Sequence, residues 1–413
     1  MADKIELPKT AEKIIFMLNN AGYEAYAVGG CIRDMLMGNI PDDYDIATNA
    51  LPDEIKAVFS GFKTIDTGIA HGTVTVIIDG FHAEVTTYRT DGKYTDNRHP
   101  DSVSFSKSIY DDLSRRDFTV NALAYDGKRM IDAFGGKEDI KNRIIRCVGN
   151  PLQRFTEDAL RILRALRFSS VLNFKIEDNT KNAVFDCMPF LDNISKERVF
   201  SEIKKLVCGE NSKEVLEQFR CAAEMIFTGI SEYTQYQYET AVNMTAMSEN
   251  DFCMRMAALM YFFPEDGALS ALNRLKSSNK IKKDVTSYLK KTDCNMLKTT
   301  GQIQKYMFLN GGETLKNSLK MQRIYYLCTS DLSGASVAEN IIKAVDEIIN
   351  LHLCFNISDL NISGRDIASS GLASGKEIGV MLKKLLFAVI DKRVENEKAA
   401  LLKYAKIYLA DKI

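Results

Sequence analysis

The pattern of apolar and polar residues predicts a mixed α/β region at the start of the chain. Two β-rich runs, 73–78 and 81–88, are joined by Asp79-Gly80, a dipeptide typical of a two-residue β-hairpin turn. The other segments predicted in this region are the helices 9–20, 31–37 and 53–59 and the strands 24–28 and 44–48. Together they indicate a small sheet combined with helices.

The remainder of the chain follows a different pattern. Helical periodicity dominates from Thr156 to the C-terminus, and no convincing strand run follows Arg143. Within the first region, the polar stretch 89–107 has few apolar anchors and is predicted to be a long loop, either functional or disordered. The predicted fold class is an α+β N-terminal part with a small mixed sheet, followed by an all-α remainder.

Length and composition narrow the class of protein. The 413 residues suggest two to four domains at about 150 residues each. With 46% apolar and 26% charged residues, the chain is neither disordered nor collagenous nor of low complexity. It contains no apolar run of about 18 residues and no signal-peptide core, so we expect a soluble, cytoplasmic chain with no membrane contact. Its nine cysteines form no C-x-x-C pair, so reduced thiols are expected.

Charge is segregated along the chain although the net charge is only −1. Residues 210–266 carry a balance of −7, whereas residues 267–326 carry +9 from twelve bases and three acids. Such a basic block could face a polyanion, and a solvated lysine face explains it equally well.

The first candidate site, residues 29–34, lies where a predicted strand meets a predicted helix. Gly29 and Gly30 let the backbone approach an anion, and the helix N-terminus offers unpaired N–H groups. Arg33 lies one turn further on and could bind phosphate with two hydrogen bonds. A tight turn without a ligand is the alternative interpretation.

The second candidate, residues 42–48, carries acidic side chains on a predicted strand. Alternation places Asp43 and Asp45 on the same face, where their mutual repulsion favours a bound cation. Glu84 in the predicted hairpin could supply a third carboxylate. Oxygen ligands of this kind suit Mg²⁺. A solvated acidic turn is the alternative.

The third candidate, residues 115–123, places cations, a carboxylate and an amide directly before apolar residues. Arg116 could hold phosphate, while Asp117 and Asn121 could bind ribose hydroxyls. A capped helix start explains part of the pattern as well.

The fourth candidate, residues 156–168, is predicted to be one helix that starts at an N-cap, Thr156. A polar stripe recurs every three residues along it: Asp158, Arg161, Arg164 and Arg167. A surface Asp–Arg pair on an amphipathic helix is the alternative interpretation.

Taken together and in this order, the four candidates resemble one family. The segments GGCIRD, DDYDIAT, RRDFTVNALAY and EDALRILRALRF are similar to the successive motifs of bacterial tRNA nucleotidyltransferases, the CCA-adding enzymes, and of related bacterial poly(A) polymerases. The resemblance extends to HGTVTV, FGGKEDI and ISKERVF, and near the C-terminus to ISGRDI and VENEKAALLKYA. It implies a polymerase-β-type catalytic head at 1–140, an all-α neck at 141–205, a body at 206–330 and a tail at 331–413.

The resemblance also implies a reaction and its partners. The 3′-hydroxyl of tRNA attacks the α-phosphate of CTP or ATP and releases pyrophosphate, and no protein partner is implied. Asp43 and Asp45 match the residues that bind two Mg²⁺ ions, and Glu84 fits a third carboxylate. The matches to the nucleotide site are, for the triphosphate, Gly29, Gly30 and Arg33, and, for phosphate and ribose, Arg116, Asp117 and Asn121.

Asp158 and Arg161 match the protein template that selects the base in this family. Cytosine and adenine both present an amine donor beside a ring-nitrogen acceptor, which a carboxylate and a guanidinium complement, whereas uracil and guanine present the reverse. Arg164 and Arg167 are expected to continue the site toward phosphate or primer. The basic segment 267–326 is expected to hold the tRNA acceptor end through its backbone.

Several activities remain open within the resemblance. They are complete CCA addition, addition of CC or of A alone, and poly(A) synthesis. The loop 89–107 is full-length and contains Arg98 and Pro100, which favours the capability to add A and hence complete CCA addition. A non-catalytic RNA-binding protein is the alternative of another class, and the intact Asp43, Asp45, Asp158 and Arg161 argue against it.

Overall fold

A computed structural model describes residues 5–69, 72–92 and 103–410. The chain divides into two compact units, residues 1–226 and 227–413. The first unit contains a seven-stranded sheet with flanking helices, and the second is built from helices. This arrangement confirms the predicted fold class. Among the described residues, no helix combines the length and the apolar character that crossing a bilayer requires.

The strands of the first unit are short. They are β1 (Ala25–Val28), β2 (Tyr44–Thr48), β3 (Lys63–Gly68), β4 (Thr73–Ile78), β5 (Phe81–Thr87), β6 (Arg89–Asp91), β7 (Val103–Phe105), β8 (Leu123–Tyr125), β9 (Met130–Asp132), β10 (Ile144–Ile145) and β11 (Lys175–Ile176). Its helices are α1 (Lys9–Asn20), α2 (Gly30–Leu36), α3 (Pro52–Val58), α4 (Ile109–Ser114), α5 (Gly136–Asn142), α6 (Pro151–Glu157), α7 (Leu160–Leu172), α8 (Asp178–Cys187), α9 (Lys196–Val207), α10 (Ser212–Gln218) and α11 (Arg220–Ile226).

The sheet has the order β3-β4-β5-β2-β1-β8-β9. Only β2 and β5 run parallel, and every other neighbouring pair is antiparallel. The predicted β4–β5 hairpin is present, and Asp79 and Gly80 both have positive φ, as a type I′ turn requires. The parallel register places Asp45 directly opposite Glu84. Two acidic side chains from different parts of the sequence therefore meet on one face of the sheet.

Packing around the sheet explains why its strands form where they do. Helix α1 buries Ala11, Ile14, Ile15 and Leu18, which recur at helical spacing. A buried cluster beside β1, β2 and β8 comprises Tyr26, Val28, Ala47, Tyr88, Ile109, Leu113, Ala122, Ala124, Ile131 and Val148. This core fixes β1 and β2, whose ends carry the first and second candidate sites.

Two sequence predictions about extended structure are wrong. Strands β10 and β11 follow Arg143 and pair in parallel, but two residues each are too short for periodicity to reveal. The flanks of the predicted loop 89–107 also pair, since β6 and β7 form an antiparallel ladder. Residues 93–102, which include Arg98 and Pro100, lie outside the described residues.

The predicted helix over residues 156–168 is also wrong in its boundaries. Helix α6 ends at Glu157, Asp158 has an extended backbone, and α7 begins at Leu160. Thr156 is not an N-cap, because it lies inside α6 and its hydroxyl donates to the Leu152 and Gln153 carbonyls. The cap of α6 is Asn150, which is followed by proline at the first helical position.

The second unit is helical throughout its described residues. Its helices are α12 (Gln235–Met247), α13 (Phe252–Leu259), α14 (Glu265–Arg274), α15 (Asn279–Leu289), α16 (Thr300–Asn310), α17 (Gly312–Cys328), α18 (Leu332–Asn350), α19 (Gly364–Ser369), α20 (Glu377–Ile390) and α21 (Lys398–Ala410). Two apolar clusters support it, one centred on α16, α17 and α18 and the other on α19, α20 and α21.

Gly136 at the start of α5 gives a test of packing in the first unit. A Cβ added there would overlap the Thr119 carbonyl oxygen, which is backbone and cannot rotate away. We expect Gly136→Ala to lower the free energy of unfolding by about 1–3 kcal/mol, the usual cost of overpacking. Gly61→Ala is the matched control, because nothing lies within 4 Å of its added Cβ. Urea unfolding of both variants measures the difference, and equal stability would contradict the close approach.

Candidate active site

One cavity of about 630 Å³ in the first unit collects residues from all four candidate sites. Twelve of the thirteen predicted site residues line it: Gly29, Gly30, Arg33, Asp43, Asp45, Arg116, Asp117, Asn121, Asp158, Arg161, Arg164 and Arg167. The thirteenth, Glu84, lies outside the lining on β5, beside Asp45. Residues that are widely separated in the sequence thus share a single depression.

The acidic edge of the cavity comes from the start of β2. Tyr44 and Ile46 are buried in the sheet, whereas Asp45 on β2 and Asp43, the residue directly before the strand, are exposed and both line the cavity. Desolvation raises the pKa of Asp45, the negative charges of Glu84 and Asp43 raise it further, and Arg116 lowers it. The three carboxylates therefore influence one another electrostatically. Among the described residues, no three Asp, Glu, His or Cys side chains lie close enough together to hold a metal ion as they stand.

Gly29, the residue before α2, allows Arg116 to lie close to the N-terminus of that helix. Gly29 has φ 76° and ψ −128°, a conformation that residues with a Cβ rarely adopt. Its added Cβ would lie 2.7 Å from Arg116 Nη1, so the glycine also makes room for that guanidinium. Gly29 N–H donates to the Leu123 carbonyl, which ties the turn to β8. Both the turn and the close approach of Arg116 depend on residue 29 being a glycine, which has no side chain.

Arg116 is itself held by an acid that sequence analysis did not single out. Asp112 on α4 is 1% exposed; its Oδ1 accepts from Arg115, and its Oδ2 accepts from Arg116 Nη2 at 3.0 Å. Although desolvation opposes ionisation, the two guanidinium groups hold the pKa of Asp112 below its usual value. Asp112 therefore remains a carboxylate and fixes both arginines at the cavity.

A chain of hydrogen bonds connects three of the four candidate sites. Arg33 Nη1 donates to Asn121 Oδ1 at 2.6 Å, and Asn121 Nδ2 donates to Asp117 Oδ1 at 3.1 Å. Arg164 Nε donates to Asp117 Oδ2 at 2.7 Å. Despite desolvation, Arg164 and Asn121 hold the pKa of Asp117 down at about 2. Because both of its oxygens are engaged, Asp117 orients Asn121 and Arg164 in this structure.

Three guanidinium groups surround the ring of Phe168. The Cζ atoms of Arg33, Arg164 and Arg167 lie 5.2, 5.4 and 3.9 Å from the ring centroid. The aromatic face attracts these cations and offsets part of their repulsion. We call these three arginines the cationic wall. Their concentrated positive charge suits a polyanionic ligand.

Asp158 and Arg161 both line the cavity, but they do not pair with each other. Asp158 Oδ1 accepts from Leu160 N–H, and Oδ2 accepts from Arg198 Nη2 at 3.0 Å. Arg161 is 8% exposed and donates to Glu157 Oε2 at 2.8 Å and to the Arg154 carbonyl. The polar stripe predicted on one helix is therefore wrong, because Asp158 lies in the break before α7.

Five further residues line the cavity that were not among the predicted site residues: Arg115, Leu160 and Phe168, which lie within the third and fourth candidate segments, and Arg198 and Lys205, which lie outside all four. Arg198 and Lys205 come from α9, and Glu202 on the same helix forms a 2.6 Å ion pair with Arg167. The segment ISKERVF, noted only as a resemblance, was the one signal that pointed to this helix.

The charge of the lining indicates what the cavity can bind. Its cationic side chains are Arg33, Arg115, Arg116, Arg161, Arg164, Arg167, Arg198 and Lys205, and its carboxylates are Asp43, Asp45, Asp117 and Asp158. Cations thus outnumber acids two to one. A triphosphate with its metal ions fits such a surface, because the arginines can bind its phosphate groups and the carboxylates near the start of β2 can bind the metal.

Three family models match successive segments of the chain. Residues 25–146 match the family described as "Poly A polymerase head domain". Residues 173–221 match "Probable RNA and SrmB- binding site of polymerase A", and residues 247–405 match a second domain of tRNA nucleotidyltransferases.

Individual relatives are similar over nearly the whole chain. The CCA-adding enzyme of Lactobacillus helveticus is 36% identical over 95% of this chain and 96% of its own, and that of Ligilactobacillus salivarius is 35% identical over 98% of each. The crystal structure of the Bacillus stearothermophilus CCA-adding enzyme in complex with CTP is 31% identical, with a TM-score of 0.74 over 97% of both chains.

Proposed function

Since the chain belongs to the family of CCA-adding enzymes, we propose that the cavity of its first unit transfers nucleotides to tRNA. The substrates are CTP, ATP and the 3′ end of tRNA, and the product is a tRNA carrying CCA, with pyrophosphate released. The observation that carries this proposal is the meeting of four separate sequence motifs on one cavity with an acidic edge and a cationic wall. Because the proposed substrate is tRNA, the activity belongs in the cytoplasm.

Enzymes of this family use a divalent metal, and the acidic edge fits one. Asp43 and Asp45 both line the cavity, Glu84 lies opposite Asp45, and all three offer oxygen ligands. We assign Mg²⁺ to Asp43 and Asp45, with Glu84 as a supporting carboxylate. When bound, the ions would activate the attacking hydroxyl and neutralise charge on the leaving phosphates. Desolvation is the largest cause of the raised pKa of Asp45, and the negative charges of Glu84 and Asp43 raise it further, so a bound cation would favour the ionised form.

Arg116 and the arginines around Phe168 (the cationic wall) bind and orient the triphosphate. Arg116 lies against Gly29 at the turn into α2, and Arg33 lies one turn further along that helix. Asn121 is held between Arg33 and Asp117 and is placed for the ribose and phosphate. These groups are fixed before substrate arrives, so little side-chain entropy is lost on binding.

Base selection falls to Asp158 and Arg161. A carboxylate can only accept, and a guanidinium can only donate, so the pair complements the amine and ring nitrogen of cytosine and adenine. Uracil and guanine would leave buried polar groups unpaired, at a cost of about 1–3 kcal/mol each. The same protein groups can therefore serve both nucleotides of CCA.

The second unit is proposed to hold the tRNA. Several basic residues at 267–326 form ion pairs with acids of the same unit, among them Lys305, Lys316, Lys320 and Arg323. In contrast, Lys280, Lys282 and Lys283 on α15 form no ion pair with the described residues. These three lysines remain available for phosphate groups of the tRNA backbone.

This difference gives a matched experiment. We expect replacement of Lys280, Lys282 and Lys283 by Gln to raise the Kd for tRNA. The slope of log Kd against log salt concentration should also fall, by about 0.7–0.9 for each phosphate group that is no longer neutralised. The control removes the same charge from Lys305, Lys316 and Lys320, which are already paired. Filter binding between low and high salt measures both slopes. Equal slopes for the two triple variants would mean that the α15 lysines form only a solvated face.

Poly(A) synthesis and addition of A alone make different products from the same site. We expect the enzyme to add a single A to tRNA ending in CC when only ATP is supplied, and to add nothing to tRNA that already ends in CCA. A ladder of added adenosines would identify a poly(A) polymerase. If no nucleotide were transferred to any primer, the protein would be a non-catalytic RNA-binding protein.

A further inference from the structure

We propose that a cavity in the second unit binds a nucleoside phosphate, at a site separate from the nucleotide cavity of the first unit. This second-unit cavity measures about 820 Å³, which exceeds the 630 Å³ of the other and lies within the range of small-molecule sites. Its lining comes from residues 261–269, from residues 283–291 and from Thr314. All of them belong to the unit 227–413, so the site shares no residue with the proposed metal and base-selecting groups.

One part of the lining is a polar face of α15 and of the two residues that follow it. The spacing i, i+3, i+4 and i+7 places four lining residues on one side of that helix: Lys283, Thr286, Ser287 and Lys290. Lys291 follows directly and also lines the cavity. Three ammonium groups on one short stretch, with hydroxyl groups between them, suit a phosphate.

The charges of these three lysines are not neutralised by the fold. None of them forms an ion pair with the described residues of the chain. Lys290 donates to the side-chain oxygen of Asn310 at 2.7 Å, and Lys291 Nζ lies 5.5 Å from the ring centroid of Tyr261. Both of these partners are uncharged, so the cavity keeps its positive potential for an anion.

The other main part of the lining, between the end of α13 and α14, is apolar and aromatic. It contributes Tyr261, Phe263 and Leu269. Tyr261 is stacked on Tyr325 at a centroid distance of 5.0 Å. Gly229 makes room for Phe263, because a Cβ added to the glycine would lie 2.9 Å from that ring. The rings are thus held in place before a ligand arrives, and a flat base can pack against them.

A nucleoside phosphate matches each part of this lining. Its phosphate accepts from the lysines, its base packs on the aromatic stretch, and its ribose hydroxyls donate to Asp266, a carboxylate of the same lining. Inorganic phosphate would leave the aromatic stretch uncovered, and an apolar ligand would leave the ammonium groups without an acceptor. A free nucleotide and an unstacked nucleotide of bound tRNA present the same groups, so the test distinguishes these two sources.

Photo-crosslinking of the full chain, followed by peptide mapping, tests the site without relying on nucleotide transfer. One arm uses 8-azido-AMP, and the other uses tRNA transcribed with 4-thiouridine in place of uridine. Both probes react through the base, so we expect adducts on residues 261–269. In the first arm, AMP should compete at a concentration about tenfold lower than adenosine, because adenosine lacks the phosphate that the lysines bind.

Matched variants connect the adducts to the lysines. Replacing Lys290 and Lys291 together by Gln should raise the half-saturating concentration of the probe about tenfold, and replacing both by Arg should restore it. The control replaces Lys298 and Lys376 by Gln, two exposed lysines of the second unit outside the lining, and should label like the parent.

The pattern of adducts decides the outcome. Labelling of residues 261–269 by 8-azido-AMP identifies a free nucleotide as the ligand, and labelling there by the tRNA probe alone identifies an unstacked tRNA nucleotide. If neither probe labels 261–269, or if the Gln variant of Lys290 and Lys291 labels like the parent, the proposal is overturned. Nucleotide transfer by the first unit is measured separately by primer extension, so its success or failure is independent of this result.

Discussion

Asp45→Ala and Asp43→Ala are each expected to abolish nucleotide transfer while the Kd for tRNA stays nearly unchanged. Asp45 on β2 lies opposite Glu84, and Asp43 directly precedes the strand, so the three negative charges repel one another and suit a bound cation rather than an RNA phosphate. We expect transfer to fall by more than about 100-fold, as befits loss of the groups that hold the catalytic ions. Primer extension and filter binding on the same preparations measure the two properties.

The neighbouring Asp42→Ala serves as the control for that experiment. Asp42 is exposed and does not line the cavity, so its loss removes one negative charge without touching the acidic edge. Its extension rate should stay within about twofold of the parent enzyme, as is usual for a surface substitution. Extension by Asp43→Ala or Asp45→Ala above a hundredth of the parent rate would disprove the metal assignment.

Asp158→Ala is expected to weaken base discrimination without inverting it. The variant loses the acceptor for the exocyclic amine, so use of CTP and ATP falls while the penalty on UTP shrinks. Arg161 would still face the N–H of uracil, so CTP remains preferred. The CTP-to-UTP ratio should drop by a factor that corresponds to about 1–3 kcal/mol, one polar mismatch.

Measurement of kcat/KM for all four nucleotides on tRNA lacking CCA decides this prediction. A constant ratio with lower overall activity would mean that Asp158 only caps α7 through the Leu160 N–H. In that case the base would have to be selected elsewhere in the cavity.

The architecture of the first unit was largely predictable because it follows local patterns. The hairpin of β4 and β5 was evident from alternating apolar residues around Asp79-Gly80, and the prediction agrees with the structure to within one residue. Strands β8 and β9 were not predicted as separate elements. Each has three residues, so tertiary pairing rather than periodicity defines them.

The sequence predicted which residues gather in the site better than it predicted which residues they pair with. Sequence order indicated that four motifs act together, and twelve of the thirteen residues do line one cavity. The pairing of Arg161 with Glu157 and of Asp158 with Arg198 was not foreseen. Residues 156–168 read as a continuous helix, since nothing in their composition marks the break at Asp158. An ion pair between residues so far apart in the sequence leaves no local pattern at all.

The basic block shows a similar limit of sequence reasoning. Counting charges treats its twelve bases alike, but the fold pairs several of them, including Lys305, Lys316, Lys320 and Arg323, with acids of the second unit. The acids that pair with these four bases, Glu249, Glu339, Asp346 and Asp391, all lie outside the block in sequence. Only the folded chain therefore separates the lysines available to RNA from those that serve the fold.

The central claim is that this one chain completes CCA from two nucleotides, and sizing of the products tests it directly. Purified enzyme receives tRNA lacking CCA together with CTP, ATP or both, and the products are resolved to single nucleotides and sequenced. We predict two added C residues with CTP alone, no extension with ATP alone, and addition of C, C and A, followed by a stop, with both. Termination after CC in the presence of ATP, or a run of A with ATP alone, would contradict the account.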